Sequence, residues 1–269
     1  MSHNILSGKK GLIFGLVNRQ SLAYFVAQKC LEEGANIVLT NTESAIQLGE
    51  ISEIASEWNV PVMACDASDE NDIKQLLINT QHLLGGKIDF ILHAVAMSQN
   101  LRRHRQYDET NYSYFHQTID VSALSLHKCL KVAKQLGAIA DGGSVVTLTY
   151  IASDRYVFGY NDMSDAKAML ESVVRNFGGI YGEENNVRIN AVSQSPTPTK
   201  AGSQYNRVER FSKLTDMMSP LGNATAQSCA ELCVMLFSDY TRFVTMQTIY
   251  NDGGYHRSSL TNKMIKNNL

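Results

Sequence analysis

The chain has almost no charge imbalance, little proline, only short apolar runs and no clustered cysteines, and each shortage excludes a class of protein. Lysine and arginine number 24 against 26 aspartates and glutamates, a formal charge of −2. Nucleic-acid binders draw affinity from an excess of cations, so that partner is excluded. With four prolines in 269 residues and no Pro/Gly/Ser-rich stretch, nothing marks a linker at which to divide the chain. Apolar runs such as Leu232 to Phe237 are far too short to span a bilayer, and the opening MSHNILSGKK has no apolar signal core. The five cysteines (Cys30, Cys65, Cys129, Cys229, Cys233) are scattered, with no CxxC pair. Cys229 and Cys233 lie one helical turn apart in an apolar stretch, and they read as buried thiols rather than metal ligands. The expectation is a soluble protein of a reducing cytoplasm, with no metal and no membrane partner.

What is present is an alternation of two periods. Short β-branched or apolar runs occur at 11–15, 35–40, 60–65, 88–95, 144–149, 187–192 and 248–251. Helical spacing fills the gaps. Leu22, Val26 and Cys30 follow Ser21; Ile73, Leu76 and Leu77 mark another helix. Leu124, Cys129, Val132 and Ala133 mark a third, and Leu170, Val173, Val174 and Phe177 a fourth. Strands separated by helices of this length imply right-handed crossovers. The fold class is therefore α/β: a Rossmann-type, doubly wound sheet of about seven parallel strands with helices on both faces, forming one domain over 1–269. The polar tail 258–269 reads as disordered or as an assembly element.

A nucleotide site follows from the first turn. Leu12-Ile13-Phe14 runs into Gly15-Leu16-Val17-Asn18-Arg19-Gln20-Ser21 and then a helix. A small residue at the strand end lets backbone approach a pyrophosphate, and the helix N-terminus beyond offers N–H groups. The usual G-x-G-x-x-G is absent: only Gly15 sits in the turn, and Ser21 either donates to a phosphate or caps the helix. After the second strand, Thr40-Asn41-Thr42-Glu43 lacks the cation a 2′-phosphate needs, which favours NADH, with Thr42 beside the cofactor. Asp66, followed by Ala67, stands where adenine's amine would lie, and it also suits a helix N-cap. Ala94 and Ala96 are small enough for close passage of a cofactor, and His93 reads as a core histidine rather than an acid or base.

The chemistry lies beyond the fifth strand. Tyr150 follows the strand end, and Tyr160 and Lys167 are seven positions apart. On one helix that spacing puts both side chains on one face, about 10 Å apart along the axis. A tyrosine hydroxyl polarises a carbonyl, and a lysine holds ribose hydroxyls and supplies positive charge. On these residues the chain resembles the NADH-dependent enoyl-acyl-carrier-protein reductases, a divergent branch of the short-chain dehydrogenases. The likeness runs through Gly15, Ser21 and Leu22, then Asp66, Tyr150, Tyr160-x6-Lys167, Asn190-Ala191-Val192-Ser193, Pro196 and Asn251-Asp252-Gly253-Gly254. Commoner short-chain dehydrogenases leave three residues between Tyr and Lys and place a serine a dozen positions earlier, where Thr147 stands here.

The resemblance implies reduction of the 2,3 double bond of trans-2-enoyl-acyl-carrier-protein in fatty acid biosynthesis. Hydride passes from NADH to the β-carbon, and Tyr160 hydrogen-bonds the thioester oxygen. It implies Tyr150 as a second active-site tyrosine, Lys167 at the nicotinamide ribose, Val95 beside the cofactor and Ser98 near the substrate. Thr197, Pro198, Thr199, Lys200 and Ala201 would contact nicotinamide and pyrophosphate, ahead of a mobile substrate flap around 197–218. It also implies a homotetramer. Ala94 and Ala96 replace the family's common Ser and Gly, which tightens the pocket. An acidic acyl carrier protein would meet cations at the mouth, from Arg102-Arg103-His104-Arg105 or from Arg207, Arg210 and Lys213. Two rivals remain open: a carbonyl reductase of the same fold, and an inactive NADH-binding regulator.

Overall fold

The computed structural model of the chain describes residues 3–197 and 208–268. Its centre is a seven-stranded sheet of β1 (Lys10–Phe14), β2 (Asn36–Asn41), β3 (Val62–Ala64), β4 (Ile88–His93), β5 (Ile139–Thr149), β6 (Arg188–Gln194) and β7 (Thr248–Asn251). All pairings are parallel, in the order β3-β2-β1-β4-β5-β6-β7. The chain leaves β1 toward β2 on one side and returns to β4 on the other. The boundary between β1 and β4 is thus the topological switch point, where open α/β sheets bind ligands.

The helices are α1 (Leu22–Glu32), α2 (Glu43–Leu48), α3 (Ile51–Trp58), α4 (Glu70–Leu84), α5 (Gln99–Arg102), α6 (Tyr112–Ile119), α7 (Ser125–Leu136), α8 (Met163–Asn185), α9 (Val208–Met218), α10 (Ala226–Phe237) and α11 (Asn262–Asn268). Successive strand residues point to opposite faces, so each strand feeds two cores. Leu12, Phe14, Ile91 and Val145 pack with Leu76 of α4, Leu126 of α7 and Leu170 of α8. Ile13, Leu39, Leu92 and Val146 pack on the other face with Val26 of α1, Ile54 of α3 and Cys233 of α10. All five cysteines are buried free thiols. Among the described residues no helix is long and apolar enough to cross a membrane.

Several elements differ from the sequence pattern: β5 starts at Ile139, five residues before the expected run at 144, and β3 is cut to Val62–Ala64 from the run 60–65. β4 ends at His93 rather than residue 95, because its last ladder partners are Phe14 and Thr147. Ala94 to Met97 therefore emerge as loop above the sheet. α6 and α7 are joined by a π-helical turn, Asp120–Leu124, so the helix expected around Leu124 belongs to a longer, interrupted run. The polar tail carries α11, and the Thr261 hydroxyl there donates to the Met217 carbonyl at the end of α9.

Candidate active site

The glycine turn closes directly against β4's exit loop. Gly15 has φ +91°, and a Cβ there would lie 2.1 Å from the Ala94 carbonyl oxygen. Only glycine fits this crossing of two backbones at the switch point, a cradle suited to a dinucleotide pyrophosphate. The Ser21 hydroxyl donates to the Asn18 carbonyl at 2.6 Å and does not cap α1. Ser21 stands at the N-cap position of α1, and its hydroxyl fastens the glycine turn instead of accepting from the helix. Leu22 is the first residue of α1. Arg19, the cation of the turn, is held by Glu50, Glu53 and Glu57.

At the end of β2, Asn41 Nδ2 donates to the Leu16 carbonyl at 2.9 Å, which binds this edge to the glycine turn. Thr42 caps α2 by accepting from Ala45 N–H, and the exposed Glu43 accepts from Gln47. The exposed Asp66 is not the cap of α4. Asp69 takes that place, accepting from the N–H groups of Asn71 and Asp72, while Asp66 accepts from Ser68 N–H and Oγ. The cap moves three residues because Asp66 closes its own turn first. Ala67 is buried behind it.

His93 is 1% exposed, with Nδ1 3.1 Å from Thr147 Oγ1 and Nε2 2.9 Å from Ser125 Oγ. Burial, with a smaller contribution from the charge of Lys167, pushes its pKa down to about 3. It is a neutral core histidine. Thr147 is spent on this contact and is itself fully buried. Of the next loop, Val95 is partly buried, Ala96 is exposed and Ser98 is buried, its hydroxyl donating to Asp162 at 2.6 Å.

Tyr150 and Tyr160 pack with ring centroids 5.0 Å apart, tilted by 52°. Both belong to an apolar wall with Ile151, Ala152, Val157 and Phe211 of α9. Burial raises the Tyr160 pKa above the ordinary tyrosine range, so the phenol stays neutral and able to donate. Lys167 lies on α8, 5% exposed, and its Nζ donates to the Leu148 carbonyl at 2.8 Å. Burial pushes its pKa down to about 8 against the opposing pull of Glu171.

One expectation about this pair is corrected. α8 begins at Met163, and Asn161 has φ +50°, a left-handed conformation that a continuing helix cannot contain. Tyr160 therefore precedes the helix, and two turns of one helix do not align it with Lys167. Thr197, at the exit of β6, donates to the Ser195 carbonyl. Pro198, Thr199, Lys200, Ala201 and Arg207 lie outside the described residues, as does the side chain of Arg210. Lys213 and the run Arg102 to Arg105 are exposed. The sequence reading missed the polar cluster of Asn100, Thr118, Asn161 and Asp162. The one signal for it was an Asn-Asp pair, poor helix formers, directly after Tyr160.

A parallel sheet with its ligand cradle at the β1/β4 switch point, and a tyrosine–lysine pair beyond β5, defines a dinucleotide-dependent oxidoreductase of the short-chain dehydrogenase class. Residues 15–256 match the family described as enoyl-(acyl carrier protein) reductase, and the chain belongs to that family. It is 31% identical over 258 residues to the enoyl-[acyl-carrier-protein] reductase [NADH] FabI of Rickettsia typhi, covering 95% of this chain and 97% of that protein. The crystal structure of the FabI-NADH complex from Alistipes finegoldii superposes with a TM-score of 0.96 at 50% identity, covering 97% of this chain and 92% of the other. The enoyl-[acyl-carrier-protein] reductase (NADH) of Aquifex aeolicus superposes with a TM-score of 0.88 at 30% identity, covering 96% and 100%.

Proposed function

We propose that the chain reduces the 2,3 double bond of trans-2-enoyl-acyl-carrier-protein with NADH, in fatty acid biosynthesis. When bound, the dinucleotide supplies the hydride. Tyr160 donates a hydrogen bond to the thioester carbonyl oxygen, where negative charge grows as the β-carbon is reduced. Tyr150 shapes the same wall and orders the carbonyl against Tyr160. Lys167 donates to the nicotinamide ribose and places positive charge near the developing enolate, whose α-carbon is protonated afterwards. Gly15, Ser21 and Leu22 receive the pyrophosphate, Thr42 the adenosine ribose, Asp66 and Ala67 the adenine, and Val95 and the 197–201 segment the nicotinamide end.

The observation that carries this reading over carbonyl reduction is Thr147. A carbonyl reductase of this fold uses a hydroxyl at that neighbourhood beside its tyrosine, whereas here Thr147 is fully buried against His93 and Tyr150 stands beside Tyr160 instead. A substrate panel tests it. NADH is oxidised with a trans-2-enoyl thioester and not with simple ketones; turnover confined to ketones would reverse the assignment.

The acidic carrier docks against exposed cations, with Lys213 and the 102–105 run as candidates from the described surface, and the segment 197–218 serves as substrate flap. The working form we assign is a cytoplasmic homotetramer. Cofactor choice provides a separate check. A 2′-phosphate beside Thr42 and Glu43 meets a carboxylate, and Arg19, the cation of the glycine turn, is engaged by three glutamates. The expected kcat/KM ratio favours NADH over NADPH by about tenfold to a hundredfold, as Glu43 is solvent-screened. Equal values would mean that another cation serves the phosphate.

A further inference from the structure

Tyr160 has no helix to orient it, and the two residues that follow it make a buried polar clasp. Asp162 is fully buried. Its Oδ1 accepts from Ser98 Oγ at 2.6 Å, and its Oδ2 accepts from Asn100 Nδ2 at 2.7 Å and shares, at 2.9 Å, the Thr118 hydroxyl proton with the Tyr114 carbonyl. These donors come from β4's exit loop, α5 and α6. Asn161, in its left-handed turn, donates from Nδ2 to the Arg105 carbonyl at 2.7 Å, while its Oδ1 accepts from Thr110 Oγ1 and from Asp162 N–H. The segment from Ser98 to Thr110 is thus fastened to the chain immediately after Tyr160.

Energetically the arrangement is expensive. A carboxylate with no solvent contact is held by neutral donors, and no ion pair among the described residues includes it. Burying such a group without a cation is costly, and an apolar residue here, with its donors Ser98, Asn100 and Thr118 also made apolar, would serve stability about as well. What the apolar residue would lose is direction. Three hydrogen bonds from three elements fix the Asp162 carboxylate in position and plane, and Tyr160 lies two peptide units away.

We propose that Asp162 is a positioning residue: it holds Tyr160 at the distance from β4's exit loop that the thioester oxygen requires, acting through Tyr160 and not on the substrate. This rests on the reading of Tyr160 as hydrogen-bond donor to the substrate. A pure packing role and a positioning role separate in a double-mutant cycle. Asp162→Leu lowers kcat about tenfold or more with KM for NADH changed less than about threefold, because a small misplacement of an oxyanion donor is amplified in the rate. Asp162→Asn keeps most of the rate, since its amide oxygen still accepts from Asn100 and Thr118 while its amide donates to Ser98 Oγ. In the Tyr160→Phe background, Asp162→Leu costs less than about threefold more.

Should Asp162→Leu fail to fold, Thr118→Val and Ser98→Ala each remove one donor, and the same cycle is run with them. Losses that multiply with that of Tyr160→Phe, or no loss in the folded variants, overturn the positioning role. If Tyr160→Phe itself keeps full kcat, the underlying assignment of Tyr160 fails, and the clasp positions nothing catalytic.

Discussion

Tyr160→Phe lowers kcat for an enoyl thioester about 10²–10³-fold, the range seen when one preorganised oxyanion donor is removed, while NADH binding stays within about threefold. The phenylalanine keeps the ring packing against Tyr150 and deletes only the O–H. The hydroxyl is a donor because burial holds it protonated beyond the usual tyrosine range. At saturating NADH, kcat therefore shows no descending limb from Tyr160 between pH 7 and about 10. A rate that rises as pH passes 9 would mean that the tyrosinate, not the phenol, is the working form. Steady-state kinetics of the variant beside a pH series of the parent chain checks both statements.

The second large effect pairs a loss with a gain. Lys167 is buried with its pKa pushed down to about 8, from near 10.5 in an unfolded chain. The unfolded state therefore binds more protons between about pH 8 and 10, so stability rises with pH through that window. Below pH 8 the full penalty of burying the ammonium is present, partly offset by its bond to the Leu148 carbonyl. Lys167→Met removes the ammonium. At pH 7 we expect a stability gain of about 1–3 kcal/mol, vanishing as the pH approaches 10. The same variant loses a charged hydrogen bond to ribose, which weakens NADH binding by roughly tenfold to a hundredfold. Denaturant unfolding at two pH values, beside NADH titration, reads both. Destabilisation at pH 7 would show that the ammonium contributes more to the fold than its burial costs.

The sheet was legible in the sequence because its strands are apolar on both faces and its helices carry a strong 3.6-residue stripe. Leu12 and Ile13, or Ile91 and Leu92, are neighbours that face opposite cores, as the strands of a parallel sheet covered on both faces require. Gly15 was legible because one residue type alone fits the crossing over Ala94. His93 was legible from its apolar setting. The geometry of Tyr160 was not. Spacing assumes a continuous helix, and a single left-handed residue, Asn161, breaks the phase without altering the pattern of apolar positions around it. The cap of α4 slipped from Asp66 to Asp69 because both aspartates suit an N-cap and only the turn at Ser68 decides between them. Asp162 stayed hidden for a third reason. Its partners Ser98, Asn100 and Thr118 are far from it in sequence, and nothing local announces a buried carboxylate.

The most direct test of the central claim follows the hydride itself. NADH carrying deuterium at the transferable nicotinamide position is supplied with a trans-2-enoyl thioester on acyl carrier protein, and the product is analysed by mass spectrometry and NMR. The expected product is a saturated acyl thioester with one deuterium on the β-carbon and a solvent proton on the α-carbon. Deuterium on a carbinol carbon, with the double bond intact, would contradict enoyl reduction.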